Sequence, residues 1–411
     1  MVGTPARRPT AATPISDSPM NKLQAFWFHR QGLDGSLRGK KPADVLERVG
    51  WSRSVGGVGP YLTLFARART TREATDAAVA NLEIHELPTA RGCTYVLPAS
   101  DYALGLTVGR DFNSDLQTAL KLGVTEAEID KLCDAVVKAL AKGPLDPDGI
   151  RDATGKASRS LGEEGKKKGL STTLPVALGR LQARGQIRRV PVNGRLDQQR
   201  YRYVNWTPNP LVSYAESTDA FTELARRFFR WVGPATLGEF QWFSGLGVKA
   251  TKQAVESLGL VPAEPGGDRL LPPDDSAAYR AFEPPTAPQH ALVSSLDPIT
   301  ANRRELQSML DPIDRERSVL VDTTTKPLGT LVDLPSHAIL DRGRLIGLWE
   351  FDVDAGAIVW ATFDGKRDKT LASAVEETET WVREELGDAR SFSLDSPKSR
   401  ARRIAALREL H

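Results

Sequence analysis

Positive charge is the first chemistry this sequence offers. Between Arg151 and Asn205 stand thirteen Lys or Arg against four Asp or Glu, a local excess of nine, whereas the whole 411-residue chain carries a formal charge of only +3. The remainder is therefore net acidic, the pattern of a localised polyanion site. Within that stretch Arg200 and Arg202 alternate with Tyr201 and Tyr203. On a strand the two arginines share one face and the two tyrosines the other. Arg188, Arg189 and Arg195 add charge nearby, and Lys166, Lys167 and Lys168 form a mobile basic loop ahead of a Ser171/Thr173 helix cap. Guanidinium groups, hydroxyls and a helix N-terminus together suit phosphate oxygens. The plain alternative is a solvated face with tyrosines packed beneath it.

Other chemistries find less support. His29, His85, His290, His337 and His411 are isolated from one another, and none has a partner at metal-ligand spacing, so no metal and no cofactor are expected. Cys93 and Cys133 fit no CxxC pattern and read as reduced, buried small apolar groups. The stretch from Gly162 to Lys167 lacks the spacing and the Ser/Thr of a nucleotide loop, and Gly56 to Pro60 lacks the lysine. Nothing selects one serine as the nucleophile of a Ser–His–acid triad.

The positioning elements follow from periodicity. A chain of this length holds two to four modules, and 40% hydrophobic with 26% charged residues is globular composition. Phe221, Leu224, Ala225, Phe228 and Val232 make one helical face, with Ser217 as a cap and Gly233-Pro234 as the stop. Thr236 caps a helix over 237–244, a third runs over 248–258 to Gly259, and an extended hairpin follows around Gly266-Gly267. The same phrase occurs ninety residues earlier. There a helix over 125–141, Gly143-Pro144, a short helix over 146–153 and a helix opened by Thr173 precede two extended runs, 186–192 and 195–204, joined at Asn193-Gly194. Three helices and a hairpin is the winged-helix order, here in tandem.

A weaker first copy reads as helices over 22–30 and 42–48, a helix from Pro60 to Arg69, and a strand over 94–97. Beyond His290 the period becomes two, over 318–321, 345–351 and 357–363, as in a small β-barrel or curled sheet. A helix over 371–386 and a basic end over 398–408 complete the chain. The expected class is α+β: a tail at 1–20, winged-helix units at 21–110, 111–210 and 211–290 around a curved cleft, a β-barrel at 291–365 and a helical extension at 366–411. The first residues have no apolar h-region, Met20 is a possible natural start, and no apolar run is long enough to span a membrane.

The order Arg30-Gln31-Gly32-Leu33, Val49-Gly50, Pro60-Tyr61-Leu62, Gly233-Pro234-Ala235-Thr236 with Phe240 and Trp242, then Leu296-Asp297-Pro298 with Arg303-Arg304, resembles the YcaQ/AlkZ-type DNA glycosylases over roughly residues 21–365. The resemblance implies three winged-helix units about a cleft followed by a barrel. It also implies metal-free removal of bulky alkylated bases, including N7-alkylated purines and interstrand crosslinks. One departure stands out. Just after the Val-Gly, active members carry Gln, an apolar residue, then Gln or Asp, side chains that hold the water attacking the sugar. Here Trp51 is followed by Ser52, Arg53 and Ser54. Serine is shorter than glutamine by about 2.5 Å of reach. It binds water but is no base by itself. Arg53 puts a cation where an oxocarbenium-like centre would develop. Asp297 would supply a carboxylate, or else serve only as the cap of an Asp-Pro turn. Arg303 and Arg304 are either DNA contacts or ordinary surface charges.

Two functions follow. The first is a monofunctional DNA glycosylase with Ser52, Ser54 and Asp297 at its centre, and with Arg53, the basic hairpin, the lysine loop, Arg303 and Arg304 on DNA. The second is a non-catalytic lesion sensor or transcriptional regulator using the same surfaces. Either partner is double-stranded DNA, and the chain reads as a soluble, cytoplasmic, nucleoid-associated monomer without membrane contact.

Overall fold

The computed structural model describes residues 21–110, 112, 114–198, 200–212 and 219–410. The tail at 1–20, Met20, the Ser217 cap and His411 lie outside the described residues. The fold is mixed α/β, and all its paired strands run antiparallel.

At the centre lies the Gly59–Ala68 helix, every residue of which is buried. With no side left for solvent, the helix belongs inside the core, and its Thr63 and Arg67 find polar partners there. Tyr61, Leu62 and Phe65 share a cluster with Ile339, Trp349 and Phe351 of the later sheet, and Phe65 stacks on Trp381 with ring centroids 4.2 Å apart. The helix stops where Arg69 turns left-handed.

The middle and third segments follow local rules closely. Thr125 and Glu128 form a reciprocal capping box at the start of the Glu126–Leu140 helix, and Thr236 and Glu239 do the same for Leu237–Ser244. Asp146 caps Pro147–Thr154, and Asp219 caps Ala220–Val232. The lysines expected on a mobile loop sit on a short helix, Gly162–Lys167, with Lys168 as its C-cap. Glu163 and Glu164 in its first turn and lysines in its last favour that helix through its dipole.

The basic hairpin is shorter than expected. Ile187–Pro191 pairs with Tyr201–Asn205, and residues 195–198 do not continue the strand. Gly194 turns left-handed as an Asn-Gly turn requires, but Leu196 then leaves the ladder to bury itself beside Tyr61 and Leu62. Burial of one leucine outweighs the extension of a two-stranded ribbon.

The expected barrel is not closed. The strands form a four-stranded sheet, Ala357–Thr362 beside Arg344–Asp352 beside His337–Asp341 beside His290–Val293, plus a separate pair, Ser318–Val321 with Thr324–Pro327. Both faces of the sheet are apolar. Leu292, Ile339 and Trp349 face the central helix and the Lys369–Trp381 helix, while Val293, Ala338, Leu340 and Leu348 face Trp27, Phe28 and Leu407. A sheet already covered on both sides gains nothing by curling shut.

The first and third segments share one core. Trp51, Leu87 and Tyr95 pack with Phe228, Trp231, Phe240 and Phe243. Gly50 makes this approach possible: its φ is +96°, and a Cβ there would lie 2.9 Å from the Trp231 ring. Among the described residues no helix is long and apolar enough to cross a membrane, and no three His, Cys, Asp or Glu gather as a metal site.

Candidate functional site

Residues 52–59 are held from three sides. Ser52 and Arg53 pair with Val96 and Tyr95, and the Ser54 amide donates to the Thr94 carbonyl at 3.0 Å. Further on, the Val58 amide donates to the Arg390 carbonyl at 2.9 Å, and the Ser393 amide to the Val55 carbonyl at 3.1 Å. A Cβ on Gly57 would fall 2.2 Å from the Ser391 carbonyl oxygen, so only glycine allows that contact. Strand alternation then places Ser52 and Ser54 on one face and Arg53 on the other.

The serine face is buried. Ser52 donates to the Thr63 hydroxyl at 3.1 Å, and Thr63 donates to Asp297 at 3.3 Å. Asp297 is occupied: Arg67 donates to both its oxygens, at 2.7 and 2.8 Å, and both side chains are 0% exposed. The same carboxylate caps the Pro298–Ala301 helix through the Ile299 amide at 3.0 Å. Arg67 is further fixed by Gln31, donating to its side-chain oxygen at 2.9 Å and its carbonyl at 2.8 Å. This cluster is a buried, fully hydrogen-bonded structural lock.

Ser54 has a different neighbour. Its hydroxyl donates to Glu86 at 3.2 Å, and the Tyr201 hydroxyl donates to the same carboxylate at 3.0 Å. Arg189 stands 3.8 Å from Glu86 and 5.3 Å from the Tyr201 ring centroid. Burial pushes the Glu86 carboxyl above its usual range, against the pull of Arg189, Tyr201 and Ser54. The result is a hydrogen-bonded carboxylate with raised proton affinity where the 52–59 segment meets the basic hairpin. Sequence reasoning missed Glu86. Its one local signal is an acid inside the buried run from Ile84 to Leu87.

Arg53 faces the other way, into a cavity of about 530 Å³. Its guanidinium lies 5.3 Å from the Tyr95 ring centroid. Across the cavity Arg91 stacks on Trp242 at 3.6 Å and Arg304 reaches the same ring at 5.1 Å, with Asp333 3.2 Å from Arg304. Ser391 and Phe392 also line it. Arg91 and Trp242 are further residues that sequence reasoning did not single out as a site.

The expected DNA contacts divide into exposed and committed groups. Arg200, Arg202, Lys167 and Lys168 are exposed, and exposed Lys166 is paired with Glu163 at 2.7 Å. Arg188 is half-buried beside His85 and Tyr102. Arg189 turns to Glu86, and Arg195 is bound to Asp197 at 2.9 Å. Arg303 is no surface charge. It is fully buried 3.7 Å over Trp27, donates to the Val232 carbonyl, and burial pulls its guanidinium down to about 9. The structure thus gathers Arg53 with Arg304, and Ser54 with Arg189, but leaves Asp297 and Arg303 apart from both groups.

His85, next to Glu86, has neither ring nitrogen hydrogen-bonded, and burial with Arg188 and Arg189 nearby lowers its pKa to about 3. The unfolded chain therefore binds a proton near pH 6.5 that the fold refuses. Stability is lost as pH falls from about 6.5 towards 3. His85→Phe is expected to flatten that acid slope in urea titrations at pH 4 to 7. An unchanged slope would show that His85 does not carry it.

The family model described as DNA glycosylase AlkZ-like matches residues 58–392, a span that begins after Ser54. Among solved structures, the Streptomyces sahachiroi DNA glycosylase AlkZ is similar, with a TM-score of 0.67 and 19% sequence identity, covering 90% of this chain and 97% of that one. No curated protein matches the sequence.

Proposed function

The chain belongs to the AlkZ-like DNA glycosylase family, and on that premise we propose that it binds damaged duplex DNA and hydrolyses the N-glycosidic bond of an alkylated base, with Glu86 taking the part of the missing glutamines. The observation that carries this reading is the hydrogen bond from Ser54 to Glu86, at 3.2 Å, where the basic hairpin meets the 52–59 segment. Ser54 and Tyr201 orient the carboxylate, and the carboxylate holds the water. As the bond between C1′ and the base nitrogen breaks, its electron pair leaves with the base. Water oxygen bonds to C1′, and the water proton passes to Glu86. An N7-alkylated purine already carries positive charge and leaves readily, so positioning and one base suffice.

In the same reading the helix and hairpin segments at 21–110, 111–210 and 211–290 act as winged-helix units. The second presents Arg200, Arg202, Lys167 and Lys168 to phosphates, and Arg53 with Arg304 takes the DNA from the other side of the 52–59 segment. Arg200→Ala with Arg202→Ala should weaken binding and reduce the salt dependence by about two released ions. An unchanged salt slope would take the hairpin out of the interface.

Burial of Ser52 and Ser54, at 0% and 1% exposure, favours a second reading, a lesion-binding protein without chemistry. The deciding experiment measures base release from duplex DNA carrying N7-methylguanine. Release above the spontaneous rate supports hydrolysis. Tight binding with no release supports the sensor.

A further inference from the structure

A second cavity, of about 550 Å³, lies away from the 52–59 segment between the Lys22–Arg30, Pro42–Val49, Ala220–Val232 and Pro273–Ala281 helices. Five arginines line it, Arg30, Arg48, Arg226, Arg227 and Arg230. Like charges gather there because backbone contacts hold them. Arg48 donates to the Arg30 carbonyl at 3.4 Å, and Arg30 in turn donates to the Arg230 carbonyl.

Three carboxylates share the cavity, and each has its own partner. Asp275 binds Arg30, and Glu223 binds Arg226 and, at 3.1 Å, Arg227. Glu47 accepts from the Ser100 hydroxyl at 2.7 Å. Arg227 also reaches the buried Asp101 at 2.7 Å. Arg48 and Arg230 remain exposed, and among the described residues no carboxylate lies within 4.0 Å of either guanidinium. Two forks without a carboxylate partner therefore line a concave site together with Arg30, which is largely buried.

We propose that this cavity binds a phosphate group, carried either by a free nucleotide or by a DNA strand. A tetrahedral oxyanion accepts from several guanidinium forks at once, and arginine is the residue best matched to it. A carboxylate offers two acceptor oxygens, against three or more on a phosphate group. The aromatic wall has a consequence. Trp231 lines this cavity and meets Trp51 at 5.4 Å, and Trp51 meets Tyr95, a wall of the Arg53 cavity, at 6.2 Å. An anion in the second cavity thus sits behind the residue that precedes Ser52.

The test is calorimetric titration of the whole chain with inorganic phosphate, dGMP, and duplex DNA with a 5′-phosphate or a 5′-hydroxyl, at constant ionic strength in chloride. Wild type should bind inorganic phosphate and dGMP. Arg48→Gln with Arg230→Gln should weaken both by about tenfold or more. If the 48/230 pair also lowers affinity for 5′-phosphorylated DNA but not for the 5′-hydroxyl form, a strand end is the source of the phosphate. If it lowers only dGMP and phosphate binding, a free nucleotide is. Equal phosphate binding by wild type and the 48/230 variant, or no binding of any probe by wild type, overturns the proposal. Base release is measured separately, so its absence leaves this result standing.

Discussion

Glu86→Gln should cut release of N7-methylguanine from duplex DNA by about 100-fold or more, the range removed with a general base, and leave DNA affinity within about twofold. Glutamine keeps the volume of Glu86 and still accepts from Ser54 and Tyr201, whose hydroxyls lie 3.2 and 3.0 Å from the carboxylate. It cannot take a proton. The pH profile carries a second signature. Burial raises the Glu86 carboxyl, so the wild-type rate should fall, as pH drops, at a point above the ordinary carboxylate range. The glutamine variant should lack that limb. Stability moves the other way. A carboxyl whose folded pKa is raised makes the fold bind the proton more tightly than the unfolded chain does, so folded stability declines as pH rises through that interval. Replacing it with a neutral amide removes this decline. Loss of rate with equal or greater stability at pH 8 separates chemistry from folding. Retention of the wild-type rate by the variant would remove Glu86 from the reaction.

Asp297→Asn should act on folding. Its carboxylate and the Arg67 guanidinium are both fully enclosed and joined by two hydrogen bonds. Removing one charge strands the other without water, a loss of about 3–5 kcal/mol in unfolding free energy. The asparagine oxygen can still cap Ile299, so the loss belongs to the ion pair. Combining Arg67→Met with Asp297→Asn should cost less than the sum of the two single changes, because neither charge is then left alone. Urea midpoints at pH 7.5 test both statements. An Asp297→Asn protein as stable as wild type, yet unable to release base, would return Asp297 to the chemistry.

Much of the helical part was legible because it is locally encoded. Thr125 with Glu128, and Thr236 with Glu239, cap their helices from within four residues, and the apolar face from Phe221 to Val232 needs no distant partner to be seen. The Arg72–Ala80 and Pro273–Ala281 helices escaped notice, since their short, Ala-rich sequences carry little periodic contrast. Near the C-terminus the runs over 318–321, 345–351 and 357–363 were legible as strands, whereas His290–Val293, Thr324–Pro327 and His337–Asp341 were not. That they stop at four and do not close depends on helices packed against both faces, which a period of two cannot reveal. The hairpin shows the same limit, for Asn193-Gly194 announces a turn, but Leu196 answers to Tyr61, far away in sequence. At the site, Ser52, Arg53 and Ser54 were visible by their place after Val49-Gly50. Glu86 was not, because its significance rests on Tyr201, 115 residues downstream.

The hydrogen bonds from Val58 to Arg390 and from Ser393 to Val55 bear on how the protein comes into being. The 52–59 segment leaves the ribosome long before residues 390–393 do, and it acquires its final shape only when that late stretch folds back upon it. A nascent or prematurely ended chain that already displays the basic hairpin therefore lacks a finished centre.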